Sequence, residues 1–522
     1  MQTTLQQQHV LILGLGLSGL AMARWCARCG ARVTVADSRT EPPQLATLRH
    51  DVPDARFVNA TFDAALLQDQ VRAVFASPGL KPADTHAVLD AAHNQGLWTG
   101  GELDLFVHAL EALKEERGYA PHILGITGTN GKTTVTSLTG KLLERAGHSV
   151  AVAGNIGPTL LDTVGEKLDG DALPQSWVLE LSSFQLYNST AFEPTAATLL
   201  NLTQDHLDWH RDMADYLAAK TRVFGKQGTP VLNRDDAAVM ALLPQLQATQ
   251  TPETDAKPRG KKAAAKAPAR RWISFGANVP QRQGDYGIEM VDGMAWLVRA
   301  MEDEAHLRST RKTESAAPVP VQLQRLMPAD ALRIRGRHNA CNALAALALA
   351  TEAGAALAPM LYGLREYRGE PHRVEPIGVI DGVEYFDDSK GTNVGATLAA
   401  LQGLGVERKL VVILGGEGKG QDFAPLLPAV RNYCRAVVLI GRDAALIETS
   451  LADAGAPLLH AASLQDAVTV AAEKAQAGDA VLLSPACASF DMFRDYVHRA
   501  EAFRAAVVQR AEERGLVLEG SA

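Results

Sequence analysis

In the stretch Gly125–Thr134, GITGTNGKTT, an apolar segment runs into a glycine-rich loop that ends on Lys132, Thr133 and Thr134. A loop of this kind aims backbone N–H groups at phosphate oxygens. Lys132 adds a cation, and a hydroxyl, Thr133 before Thr134, can reach a divalent ion held by the same phosphates. The strict GxxxxGK[ST] pattern is missed, because position 126 is Ile and the upstream glycines are Gly125 and Gly128. Even so, a Gly-Lys-Thr at a strand-to-helix turn reads as a nucleoside triphosphate site ahead of a plain turn with a surface lysine. Phosphate-bound Mg²⁺ usually takes a carboxylate as well, and Glu180 closes the apolar run WVLE, where a parallel sheet presents its ligands. His206, in NLTQDHLDWH, follows another apolar run and can join the metal, although a histidine there is more often structural or on the surface.

A second glycine motif, GLGLSG from Gly14 to Gly19, follows the apolar HVLIL, and Asp37 ends the next such segment about 20 residues on. Taken alone, this spacing suggests an NAD-dependent oxidoreductase. The same geometry serves any nucleoside diphosphate, because the helix N-terminus binds phosphate and the acid binds hydroxyls or base edges. The motif therefore specifies a nucleotide and leaves hydride transfer open.

These motifs need elements to hold them. HVLILG, a glycine turn, LSGLAMARWCARCG and ARVTVAD form a strand–helix–strand beginning that favours a parallel sheet. AVFASPG, HILGIT, WVLELSSF, AATLLNLT and GTPVLN read as further strands, the second followed by a long amphipathic helix; KLVVILGG, RAVVLIG and DAVLLSPA repeat the pattern after about residue 371. At 522 residues the chain exceeds one ordinary core and predicts about three folded units. Residues 248–271 and 308–320 are polar, without periodicity, and read as flexible surface loops.

A hydrophobic content of 47% suits a soluble globular protein, and a net charge of −8 offers no chain-wide basic field for nucleic acid. The five cysteines are an odd, scattered set that fits a reducing compartment, and the CxxC of Cys26 and Cys29 lies inside a helical pattern where packing is the simpler reading. MQTTLQQQ lacks the basic start of a signal peptide, and no run of about 18 apolar residues predicts a membrane span. The expected location is the cytoplasm.

The motifs GITGTNGKTT, GNIG, ELSSFQL, NLTQDHLDWH, GRHNACNALAALALA, PHRVE, DDSKGTN, LGGEGKGQDF and SPACASFD occur here in the order seen in Mur ligases, and the resemblance covers nearly the whole chain outside the two polar stretches. ELSSFQL and DDSKGTN resemble most the branch that adds D-glutamate. The resemblance implies an α/β fold of three domains. The first is an N-terminal Rossmann-like UDP-sugar domain over 1–112. The second, over 113–370, is a central P-loop-type ATPase with a mostly parallel sheet and insertions near 248–271 and 308–320. The third, over 371–522, is a C-terminal Rossmann-like domain that binds the amino acid and closes over ATP.

By the same resemblance, Leu17, Ser18, Asp37, Ser38 and Arg39 match positions around uracil and ribose. Ser77, Pro78 and Gly79 match the diphosphate loop, and Asn155 a further substrate contact. Gly128, Thr129, Asn130, Gly131, Lys132, Thr133 and Thr134, with Asn339, Arg373 and Asp388, are implied at ATP. Thr133, Glu180, His206 and Lys220 are implied at Mg²⁺, Lys220 as a carbamate, although the helical position of Lys220 alone reads as an exposed surface lysine. Lys132, His206 and Lys220 are the implied catalytic residues. Lys390, Thr392, Lys419, Ser489, Phe490 and Tyr496 are implied at D-glutamate, with Phe490 and Tyr496 standing where Leu and Phe are expected. The implied substrates are ATP, UDP-N-acetylmuramoyl-L-alanine and D-glutamate, turned over by a monomer through an acyl phosphate. A nicotinamide oxidoreductase would leave Lys132, Glu180 and DDSKGTN without a role, and a non-catalytic nucleotide-binding regulator is the other alternative.

Overall fold

Strands buried on both faces need helices on either side, and the apolar runs of the sequence supply them. The structure is a computed structural model that describes residues 5–68, 70–248, 270–302, 321–406, 408–516 and 518. Of the two expected loops, 308–320 lies outside the described residues, and so does 248–271 except at its ends.

The first sheet comprises β1 (His9–Leu13), β2 (Arg32–Asp37), β3 (Arg56–Asn59), β4 (Val71–Ala76) and β5 (Trp98–Gly100), ordered β3-β2-β1-β4-β5. Every pair is parallel. The chain moves outward in opposite directions from β1, which leaves a crevice beyond the carboxyl ends of β1 and β4. GLGLSG and Ser77-Pro78-Gly79 leave from those ends, and the Ser77 N–H donates to the Leu13 carbonyl at 2.8 Å. A Cβ at Gly19 would stand 2.0 Å from the Gly14 carbonyl oxygen, so only glycine lets helix Leu17–Arg28 lie this close to the turn.

The second sheet comprises β6 (His122–Thr127), β7 (Val150–Gly154), β8 (Ser176–Glu180), β9 (Ala196–Leu199), β10 (Thr229–Asn233) and β11 (Ile273–Phe275), all parallel and ordered β11-β10-β9-β6-β8-β7. Ile126 pairs with Glu180 and Thr127 with Leu199, so the loop after β6, the end of β8 and the loop after β9 emerge side by side. Helix Arg337–Glu352 packs on helix Lys132–Arg145 through an alanine-rich face, with Ala343, Ala346 and Ala350 fully buried beside Leu344 and Leu347. Small side chains permit the close approach, while burial of each leucine contributes roughly 1.5–3 kcal/mol.

Against this sheet lies one the sequence pattern does not predict. It comprises β12 (Tyr286–Val291), β13 (Met294–Glu302) and β14 (Val321–Pro328), all antiparallel. With one face toward solvent, β14 mixes polar and apolar residues and lacks the continuous apolar run of a buried strand.

The last sheet comprises β15 (Glu375–Ile380), β16 (Val383–Asp387), β17 (Leu410–Gly415), β18 (Cys434–Ile440), β19 (Leu458–His460) and β20 (Ala480–Leu483), ordered β15-β16-β20-β17-β18-β19. It is parallel except for β15, which runs antiparallel to β16. The loops after β16, β17 and β20 carry DDSKGTN, GEGKG and SPACASF.

No helix among the described residues is long and apolar enough to cross a membrane. None of the five cysteines forms a disulfide among the described residues, and Cys26 and Cys29 are buried, as packing residues should be.

Candidate active site

Helix Lys132–Arg145 begins at the loop after β6, so the N–H groups of its first turn lack acceptors within the helix and face the cleft with the positive end of its dipole. The loop is braced from β9: Thr129 N–H donates to the Asn201 carbonyl (3.0 Å) and Asn130 N–H to Asn201 Oδ1 (2.9 Å). Thr129 Oγ1 donates to the Thr203 carbonyl at 3.1 Å. Lys132 Nζ folds back onto the carbonyls of Gly128 and Thr129, 2.9 Å from each. Burial pulls its ammonium below the ordinary lysine value, opposed by Glu180.

Beside the loop, Glu180 is 2% exposed. Its Oε1 accepts the Asn155 side-chain amide at 2.7 Å, and the Asn155 N–H donates to the Glu180 carbonyl at 2.8 Å. Glu180 Oε2 is buried without a hydrogen-bond partner among the described residues, so a carboxylate oxygen is left for a cation.

Lys220 overturns the expectation from helical position alone, because it is 1% exposed. Its Nζ donates to the Gly128 carbonyl (2.9 Å) and Thr127 Oγ1 (3.3 Å) and lies 4.6 Å from the centre of the Tyr216 ring. Burial first, and then the neighbouring Lys132, drives its amine well below the ordinary value. His206, with φ 56°, stands on the same side, its Nε2 3.6 Å from Asp205 Oδ2. Burial lowers its pKa against the pull of Asp205, and Lys132, Lys220 and Lys419 lower it further. Lys132, Lys220, Arg373, Lys390 and Lys419 thus gather around Glu180 and Asp205, an excess of positive charge suited to a polyanion.

The C-terminal sheet closes the cleft. Arg373 Nη2 donates to Thr133 Oγ1 at 2.9 Å, and Asn393 exchanges side-chain hydrogen bonds with Asn130 (3.2 and 3.1 Å) and reaches Asp205 Oδ2 (3.3 Å). Lys390 is half-buried, its Nζ 5.4 Å from the centre of the Tyr496 ring; burial and then Arg373 lower its pKa. Asp388 is buried and its carboxyl rises to about 7 because of that burial, even though Ser484 donates to it at 2.6 Å. Ser489 is buried and Thr392 half-buried, while Lys419 is exposed with φ 52°. Phe490 stands apart, 63% exposed, so the structure does not seal it into a pocket wall.

Between the central and C-terminal sheets, a cavity of about 780 Å³ lined by Arg335, Asn339, Glu370, Arg373 and Phe386 adjoins a narrower one of about 70 Å³ reaching Asn130, Gly131, Thr134 and Asp388. Together they make a path of nucleoside size from the phosphate loop outward. Val374, with φ 50°, and His372, with φ 63°, border Arg373; a β-branched residue in that region is strained and is held there by its surroundings.

At the first sheet, Asp37 accepts the Leu15 N–H at 2.7 Å and a bidentate Arg39 side chain at 2.9 and 2.8 Å. Burial works against its charge, but these bonds hold its pKa below the usual carboxylate value. Leu17 is 68% exposed at the crevice, an apolar surface open to a ring. Ser38 is exposed, and Pro78 and Gly79 line the loop after β4. Ser18 is committed within the protein: it hydrogen-bonds Glu102.

Sequence reasoning passed over Asp205, Asn201, Tyr216 and Asn393. Asp205 and Asn201 lie beside His206 at a strand end, a signal equal to the one that picked out Glu180. Tyr216 and Asn393 act through distant partners that no local spacing reveals.

Three family models match the chain: Mur ligase MurD-like, N-terminal domain, over residues 8–100; Mur ligase middle domain, over 126–281; and Mur ligase, glutamate ligase domain, over 372–487. The chain is 61% identical over 521 residues to the UDP-N-acetylmuramoylalanine--D-glutamate ligase of Albidiferax ferrireducens, covering 99% of both chains. It is 55% identical over 520 residues to the enzyme of that name from Burkholderia mallei, covering 98% of this chain and 99% of the relative. Its fold is shared with a MurF ligase from Thermotoga maritima solved with ADP, at TM-score 0.55 and 15% identity, covering 98% of this chain and 100% of that one. Phosphate loop, buried lysine, crevice motif and full-length similarity agree: the chain belongs to the Mur ligase family.

Proposed function

We propose that this protein is an ATP-dependent ligase that joins D-glutamate to UDP-N-acetylmuramoyl-L-alanine through an acyl phosphate, a step in making peptidoglycan precursors. The observation that carries the reading is the convergence of Lys132 and Lys220 on the Gly128 carbonyl, next to a buried carboxylate with one free oxygen. The names and extent of the relatives support the substrates.

A carboxylate does not accept an amine at neutral pH, so the L-alanyl carboxylate first takes the γ-phosphoryl group of ATP. Lys132 leaves its two loop carbonyls for the phosphate oxygens, and the first-turn N–H groups of Gly131–Thr134 cradle them. The free oxygen of buried Glu180 fits a hard cation: Glu180, Thr133, His206 and Lys220 as its carbamate would hold Mg²⁺, which would supply positive charge against the phosphates. Burial favours the neutral amine of Lys220, the form that adds CO₂. Asn339, Arg373 and Asp388 border the nucleoside cavity; Asn339 and Asp388 hold the adenosine end, and Arg373, bonded to Thr133, faces the phosphates.

Leu17, Asp37, Ser38 and Arg39 receive the uridine, Ser77–Gly79 the diphosphate, and Asn155 the sugar side. Lys390, Thr392, Lys419, Ser489 and Tyr496 present D-glutamate, whose two carboxylates the lysines match. The amine of D-glutamate then attacks the acyl carbon, and the tetrahedral intermediate collapses to amide and phosphate. Held together, three substrates need little covalent help from the protein, so positioning does most of the work. In this account the stretches 1–112, 113–370 and 371–522 are the sugar-nucleotide, ATP and amino-acid units of a cytoplasmic enzyme. Phosphate release with D-glutamate, L-alanine, meso-diaminopimelate or L-lysine as the amine tests it: D-glutamate alone sustains turnover if the reading holds, and preference for another amine overturns it.

A further inference from the structure

Glu102 is 2% exposed and outside every motif used so far, and burial raises its carboxyl to about 7 against the hydrogen bonds it accepts. It opens helix Glu102–Arg117, directly after the first sheet. Its carboxyl group accepts the N–H of Leu161 (3.2 Å) and of Leu160, and the Ser18 side chain bonds to it as well. Leu160 and Leu161 are the first residues of helix Leu160–Asp169, whose N-cap, Thr159, makes no side-chain cap of its own. Ser18 lies in the first turn of helix Leu17–Arg28, which also lacks a side-chain cap at Gly16. One carboxyl group therefore sits at the N-terminal ends of three helices, two of them otherwise uncapped, where their dipoles favour negative charge.

Those helices connect two parts of the candidate site. Helix Leu17–Arg28 follows GLGLSG, and helix Leu160–Asp169 follows GNIG, whose Asn155 bonds Glu180. Along the same seam, Arg24 pairs with Asp162 and Arg28 with Asp169, both near the surface and therefore weak. Asp104, two residues on, accepts from Ser189 Oγ and Thr190 N–H in the segment after ELSSFQL. The buried centre of this seam is Glu102.

We propose that Glu102 is a positioning residue that caps the GNIG helix from across the seam and holds the sugar-nucleotide loop in register with Asn155 and Glu180. The identity of the ligand rests on the function proposed above; the clamp itself rests only on the contacts of Glu102. Loss of the carboxyl leaves Ser18 and two helix N–H groups without their buried acceptor, while glutamine keeps an acceptor oxygen at the Oε1 position.

The test uses the full chain as wild type, Glu102→Ala and Glu102→Gln. Calorimetry gives the affinity for UDP-N-acetylmuramoyl-L-alanine, steady-state kinetics gives each KM, and hydrogen exchange of the free proteins follows Leu17–Ala21 and Leu160–Leu161. Glu102→Ala is expected to weaken sugar-nucleotide binding by about tenfold and to speed exchange in both segments by a similar factor, with the KM for ATP and D-glutamate within about twofold of wild type. Glu102→Gln should stay within about threefold on every measure. Unchanged exchange in Glu102→Ala overturns the clamp, as does a uniform rise in all three KM values or a glutamine variant as impaired as alanine. A wild-type protein that does not bind the sugar nucleotide overturns the functional reading instead, and the exchange data still decide the clamp.

Discussion

Arg373 donates to the Thr133 hydroxyl at 2.9 Å, although 240 positions separate them in the chain. This bond ties the residue before the strained Val374 to the first turn of the phosphate-loop helix, and Arg373 Nε is buried without a partner among the described residues. A second guanidinium donor therefore remains for phosphate. Arg373→Ala is expected to raise the KM for ATP by about tenfold or more, as loss of a charge-assisted bond does, with little effect on sugar-nucleotide affinity. Nucleotide titration beside calorimetry with the sugar nucleotide checks the separation.

Lys220 is predicted to carry CO₂. Its buried, cation-flanked amine is neutral at a lower pH than an ordinary lysine, so carbamate forms near neutrality. ¹³C-bicarbonate should give a carbamate resonance that is absent from Lys220→Met, and that variant should lose activity by at least about a hundredfold, as expected when a group supporting the metal is removed. A wild-type spectrum without the resonance contradicts the assignment.

Gly154 cannot carry a side chain. Its φ is 110°, and an added Cβ would stand 2.3 Å from the Glu180 carbonyl oxygen, the acceptor of the Asn155 N–H. Gly154→Ala must push Asn155 off Glu180. Thermal unfolding should show a loss of about 1–3 kcal/mol, and activity should fall further than the folded fraction.

Asp388 makes stability depend on pH with a defined sign. Its folded carboxyl rises to about 7 through burial, well above its unfolded value, so the folded chain holds the proton more tightly. The stabilisation is complete below the unfolded pKa and is lost as pH rises through about 7. Denaturant titrations from pH 4 to 8 should show this decline, and Asp388→Asn should flatten it by roughly 3–4 kcal/mol over the full range, since each tenfold gain in proton affinity on folding corresponds to about 1.4 kcal/mol.

Parallel-sheet strands were legible because burial on both faces writes them as continuous apolar runs, as in β8 and β17. The antiparallel sheet β12–β14 was not, since its exposed face breaks that run. At the site, Lys132 and Glu180 could be read from loop and strand-end chemistry alone. Lys220 could not, because burial of a helical lysine depends on Tyr216 and the loop after β6, which meet only in the fold; the family resemblance supplied it. Glu102 escaped both routes, since a glutamate opening a helix looks like an ordinary helix start until two other helices converge on it.

The central claim is that the loop ending at Lys132 hands phosphate to a carboxylate. The direct measurement is inorganic phosphate released from ATP by the purified chain with magnesium, UDP-N-acetylmuramoyl-L-alanine and D-glutamate, each omitted in turn, beside Lys132→Ala. The account predicts one phosphate per amide, none when a substrate is omitted, and a loss of at least about a thousandfold in the variant while sugar-nucleotide affinity stays near wild type. No phosphate from the complete mixture, or undiminished transfer by Lys132→Ala, would contradict it.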